Sequence, residues 1–75
     1  MYHTIEILHN LAVDLEISPK HHLEKTVISA GSRRRVQLKP YVVETSEGLI
    51  EVADLHFEDG TTTRAIPFEC FTFVS

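Results

Sequence analysis

One cysteine, no tryptophan, three glycines and three prolines in 75 residues leave out most of the devices by which a short chain announces its chemistry. With Cys70 alone there is no disulfide within the chain and no paired-cysteine metal or redox site. No glycine-rich phosphate loop is present, and no nucleophile stands beside an evident base. No run of about eighteen apolar residues exists to span a bilayer, and no basic segment leads into an apolar one at the N-terminus, so a cytoplasmic location and no membrane partner are expected. Positive charge is also scarce: seven Lys and Arg against eleven Asp and Glu give a net charge of −4. That balance opposes the general phosphate attraction on which unspecific nucleic-acid binding rests.

What is there suffices for one small globular domain spanning residues 1–75. A chain this size buries only about 60% of its unfolded surface and has no room for two cores, yet 43% of its residues are hydrophobic. Small domains often need a supplement to their core. With disulfides excluded, self-association is the expected one.

Hydrophobic alternation carries the secondary-structure signal. Leu11, Val13, Leu15 and Ile17 alternate with Ala12, Asp14 and Glu16, the period of a strand with one wetted face. Tyr2 to Asn10 fits either a short helix, through Ile5, Leu8 and Ala12, or an extension of that strand. Ser18-Pro19 reads as a helix start, with one turn over His21 to Lys25. The β-branched run after it favours a strand over Leu23 to Ala30. Gly31-Ser32 turns into a strand over Arg33 to Glu44, where Pro40, having no N–H for a ladder, predicts a sheet edge or a bulge. Ser46-Glu47-Gly48 turns again into Leu49 to Phe57.

Glu58-Asp59-Gly60 reads as a three-residue hairpin loop with glycine left-handed. That loop sets Leu55 opposite Thr63 and Asp54 opposite Arg64 as an ion pair. Pro67 breaks the returning strand, and the aromatic run Phe68-Glu69-Cys70-Phe71-Thr72-Phe73-Val74 closes the sheet. Three of the four phenylalanines lie in this run, so Cys70 reads as a buried thiol that packs.

The fold class is therefore mainly β: a small antiparallel barrel of five or six strands, with a short N-terminal helix as the open alternative. The segment Leu55-His56-Phe57-Glu58-Asp59-Gly60, its returning strand, Ile66-Pro67-Phe68-Glu69 and a last apolar strand together resemble the closing half of SH3-like and Sm-like barrels. In those barrels a hairpin is followed by a strand, a one-turn connection and a final strand. The resemblance covers about twenty-five residues and implies a fold without a function, because small barrels serve many. The Asn and Arg-Gly patterns with which Sm-like proteins hold RNA have no counterpart in the first half.

Four constellations are candidates for function. Arg33, Arg35, Gln37, Lys39 and Tyr41 alternate along one strand, and with Arg34 they offer cations for an anion or RNA and a ring on which a base would stack. The competing reading pairs this stripe with the acidic Asp14 and Glu16, across a strand or a subunit boundary. Asp54, His56 and Glu58, spaced by two, are weak candidates for a divalent metal, and His21-His22 with Glu24 weaker still. Cys70 lacks a neighbouring base or cation to favour a thiolate, so no catalytic residue is assigned and no cofactor is expected. The apolar N-terminal seventeen residues and the C-terminal strand either complete a neighbour's sheet or pair with each other in one barrel. The resulting expectation is a non-catalytic module for protein–protein interaction and self-association, a homo-oligomer with a possible protein partner. RNA binding through the basic strand is the alternative and a metal-dependent enzyme a distant third.

Overall fold

The computed structural model describes residues 1–17 and 22–74. Seven strands run through it: β1 His3–Ile7, β2 Leu11–Ile17, β3 His22–Ile28, β4 Arg33–Thr45, β5 Gly48–Phe57, β6 Thr62–Pro67 and β7 Phe71–Phe73. They form one antiparallel sheet in the order β3-β2-β6-β5-β4-β1-β7, curled into a half-barrel. The barrel-like, all-β class expected from the alternation is what the chain adopts, with seven strands in place of five or six. Among the described residues no helix is long and apolar enough to cross a membrane.

The first ten residues are neither a helix nor an extension of β2: β1, His3–Ile7, is a strand of its own, separated from β2 by residues 8–10 and placed elsewhere in the sheet. Ile5 and Ile7 are both fully buried while Leu8 is exposed, a period of two that a helix would not produce. β1 lies between β4 and β7, pairing Ile5 with Arg34 on one side and with Phe73 on the other. The apolar start and the aromatic end thus complete each other's sheet within one chain. The one-turn helix is corrected in part: His22 to Lys25 belong to β3, held by a seven-pair ladder to β2, while Ser18 to His21 lie outside the described residues.

The hairpin loop at Glu58-Asp59-Gly60 forms as expected. Gly60 has φ +92°, a conformation costly to any side chain. Asp59 Oδ1 fastens the loop by accepting from the Thr61 N–H at 2.9 Å and its hydroxyl at 2.6 Å, which together hold its carboxyl below the ordinary aspartate range. Leu55 does face Thr63. The aromatic run is shorter as a strand than its composition suggested: after Pro67, Phe68–Cys70 make a single 3-10 turn and only Phe71–Phe73 pair with β1. This strand, turn, strand order is the one that the barrel resemblance implied.

The core lies in the curl. Ile5, Ile7, Val36, Ala53 and Leu55 are fully buried, with Val13, Ile28, Phe57, Ile66 and Phe71 around them. On β4 and β5 it is Val36, Leu38, Ala53, Leu55 and Phe57 that face inward, and Arg35, Gln37, Lys39, Asp54 and His56 that face out. Cys70 is half-buried against this core. Burial, then the charge of Glu69, push its thiol above the ordinary value, so it stays protonated and packs as an apolar group.

Candidate functional site

β4 and β5 outrun their neighbours. β1 pairs with β4 only as far as Val36, and β6 pairs with β5 no further out than Val52. The ladder between β4 and β5 nevertheless continues to Thr45 and Gly48. Residues 42–51 therefore form a two-stranded ribbon whose outer edges have no partner strand among the described residues. Pro40 sits where the β1 side of β4 is already open, at an edge as its missing N–H requires.

The ribbon's inward face is the core face continued past the core. Opposed residues of an antiparallel pair point the same way, and Val42 opposes Glu51 while Glu44 opposes Leu49. By strand alternation these four share the face that buries Val36 and Leu38 further down. Here they meet solvent: Val42 is 57% and Leu49 72% exposed. The other face carries Val43 and Ile50, the latter 39% exposed. A hairpin of two strands is marginal in water without a packed face, and this one has apolar residues on both faces.

At the other end of β4 lies a cavity of about 450 Å³. Leu15, Ile28 and Phe57 line it together with Arg33, Arg34, Arg35, Glu58 and Asp59. The basic stripe keeps the single face expected of it, Arg33, Arg35, Gln37, Lys39 and Tyr41 all lying outward along β4, while Arg34 lies on the inward face. Arg33 and Arg35 lie on the outward face, where Arg33 Nε meets Glu6 Oε1 at 3.2 Å and Arg35 Nε meets Glu58 Oε2 at 3.4 Å. The neutralising partners are thus Glu6 and Glu58 in place of Asp14 and Glu16. Both pairs are exposed, so each contributes at most about 1 kcal/mol. Arg34 shares the inward face with Ile5 and has no carboxylate within 4.0 Å among the described residues, though its charge helps to lower Asp59.

Lys39 opposes Asp54 on β5, but Asp54 is committed elsewhere. Its Oδ1 accepts from the Tyr41 hydroxyl at 2.8 Å and from the Ala65 N–H at 3.0 Å. Partial burial raises the Asp54 carboxyl, but these two donors and the nearby Arg64 outweigh it and leave it below its ordinary value. The same contact, with desolvation and the carboxylate charge, pushes Tyr41 above 10.0. The expected Asp54–Arg64 ion pair is corrected by the register. Between Ala53 and Leu55 the β5–β6 pairing shifts, so that Arg64 and Ala65 both stand against Asp54 in a bulge. Arg64 turns to Glu16 Oε2, 3.1 Å from its Nη2.

Asp54, His56 and Glu58 do share the outward face, as their spacing requires. They do not converge: among the described residues no three His, Cys, Asp or Glu side chains are placed to hold a metal ion. His56 Nδ1 is 3.1 Å from the Thr62 hydroxyl, and its buried Nε2 has no hydrogen-bond partner. His22 and Glu24 are exposed on β3, and His21 lies outside the described residues.

Sequence reasoning missed the ribbon. Its signal was the pair of apolar doublets, Val42-Val43 and Leu49-Ile50, flanking the Ser46-Glu47 turn, since apolar residues on both faces of a hairpin demand cover on both. The chain matches no protein-family model, no curated protein and no solved structure.

Proposed function

We propose that this chain is a non-catalytic assembly module whose ribbon, residues 42–51, mediates protein–protein contact and self-association. The observation that carries this reading is a core-side face prolonged beyond every neighbouring strand, with Val42 and Leu49 more than half exposed. Unpaired strand edges and contiguous exposed apolar side chains are what interaction surfaces offer.

Magnitudes define what the contact needs. Burying Val42 and Leu49 in full yields about 1.5–3 kcal/mol each against full exposure, whereas association costs about 4–15 kcal/mol in lost freedom. The two side chains alone do not hold two molecules together. A specific interface takes about 800 Å² from each partner, about one-sixth of this chain's 5249 Å², so the ribbon has to meet a complementary surface along its length.

Light scattering at tens of micromolar tests the reading. The wild-type chain is expected to be a dimer or larger, and V42S/L49S, which alters exposed positions outside the core, a folded monomer by circular dichroism. A monomeric wild-type chain refutes it. Salt-dependent binding of poly-U RNA by that monomer, abolished by R33S/R34S/R35S, would put the basic strand in its place.

A further inference from the structure

Resting on that reading, we infer that the surface receiving the ribbon is the arginine-rimmed cavity of a second copy of this chain. Two matches on the molecule point there. The inward face of the ribbon presents two aliphatic side chains beside two carboxylates, Val42 and Leu49 with Glu44 and Glu51. The cavity is lined by apolar Leu15, Ile28 and Phe57 together with Arg34, the one of its three arginines that shares their inward face.

Charge agrees in sign. Residues 42–51 contain Glu44, Glu47 and Glu51 and no Lys or Arg, so the ribbon carries three negative charges. Of the arginines along the cavity, Arg33 and Arg35 are paired with Glu6 and Glu58, so the positive charge it offers is that of Arg34. Glu58 is taken up by Arg35, while Asp59 accepts from Thr61 and also feels the charge of Arg34 without forming an ion pair with it. Arg34, on the inward face and without an ion partner among the described residues, is the guanidinium left to receive an incoming carboxylate. At about 450 Å³ the cavity falls in the range of about 300–1,000 Å³ typical of sites that enclose a ligand.

The ribbon's acids and the cavity's arginine belong to opposite ends of β4, so the contact is between different surfaces of two molecules and is tested by exchange in trans. Three variants are prepared: E44K/E51K, R34E and the milder R34Q, all at exposed positions and checked for fold by thermal melting. Each reversal is expected to weaken self-association at least tenfold by sedimentation equilibrium, with R34Q intermediate, and 0.5 M salt to weaken the wild-type contact in the same direction. An equimolar mixture of E44K/E51K with R34E is expected to recover the wild-type mass, because the reversed ribbon then meets the reversed cavity. Failure of the mixture to recover, or reversals that leave the mass unchanged while V42S/L49S dissociates it, overturns the cavity as receptor and leaves the ribbon as the assembly surface. If R34E abolishes fluorescence enhancement of anilinonaphthalene sulfonate without changing the mass, the cavity takes an organic anion and the inference also fails. A monomeric wild-type chain removes both readings.

Discussion

Ala65 stands in the left-handed region at φ +58°, the one residue besides glycine with positive φ among those described, and replacing it with glycine isolates what that conformation costs. A left-handed alanine is about 1–2 kcal/mol worse than a right-handed one. Glycine removes that cost but surrenders about 0.5–1 kcal/mol through the greater freedom of its unfolded chain. The Ala65 side chain is exposed and little packing goes with it, while the N–H that donates to Asp54 remains. The balance favours A65G by about 0.5–1 kcal/mol, and for a domain of this size about 1 kcal/mol corresponds to 4–8 °C in Tm. Thermal melting followed by circular dichroism should therefore show A65G about 2–8 °C above wild type. Ala12, exposed on β2 and with an ordinary negative φ, serves as the control, and A12G should fall by a similar amount because glycine there only loses. If A65G also falls, the bulge is not held against a conformational penalty and the reasoning is wrong.

Two further outcomes follow from the same region and from the core. Removing the carboxylate in D54A should bring the Tyr41 hydroxyl back down towards 10.0 by ultraviolet titration. Asp54 titrates lower in the folded chain than its ordinary 3.8, so its contribution is full above that value and is lost as pH falls through the native one; urea midpoints of D54A measured from pH 6 to pH 2.5 should accordingly drop less than those of wild type, and an equal drop would contradict the assignment. Leu55 is fully buried at the centre of the sheet, and L55A should cost about 2–5 kcal/mol in a domain whose whole stability is about 4–11 kcal/mol, visible as a large loss of urea midpoint.

The elements legible from sequence were those whose signal is local. Leu11 to Ile17 could be read as a strand because its alternation is unbroken, although where it began stayed open, and the three-residue loop followed from Asp59-Gly60 before a returning apolar strand. Tyr2 to Asn10 stayed open because Ile5 and Leu8 suit a helix as well as Ile5 and Ile7 suit a strand, and pairing with two strands distant in sequence, β4 and β7, decides it. The bulge at Ala65 has no local mark at all. Alanine is not a residue that announces a left-handed turn, and the conformation is set by Asp54 reaching across the ladder, which also sent Arg64 to Glu16. The ribbon was hidden for another reason: β4 and β5 could be read as strands, but how far they project depends on where β1 and β6 stop. Exposure at Val42 and Leu49 is a property of their neighbours' lengths.

The pairing of Ile5 with Phe73 and Ile7 with Phe71 joins residues separated by more than sixty positions. During synthesis β1 leaves the ribosome early and has only one of its two flanking strands until residues 71–73 emerge. Ile5 and Ile7, fully buried in the finished fold, belong to a strand that lacks one flanking partner until residues 71–73 have been made. Bringing together residues that far apart carries a loop-closure cost that nearer pairings do not, and it leaves an edge of a hydrophobic strand open to chaperones and to other nascent copies until the turn past Pro67 delivers its partner.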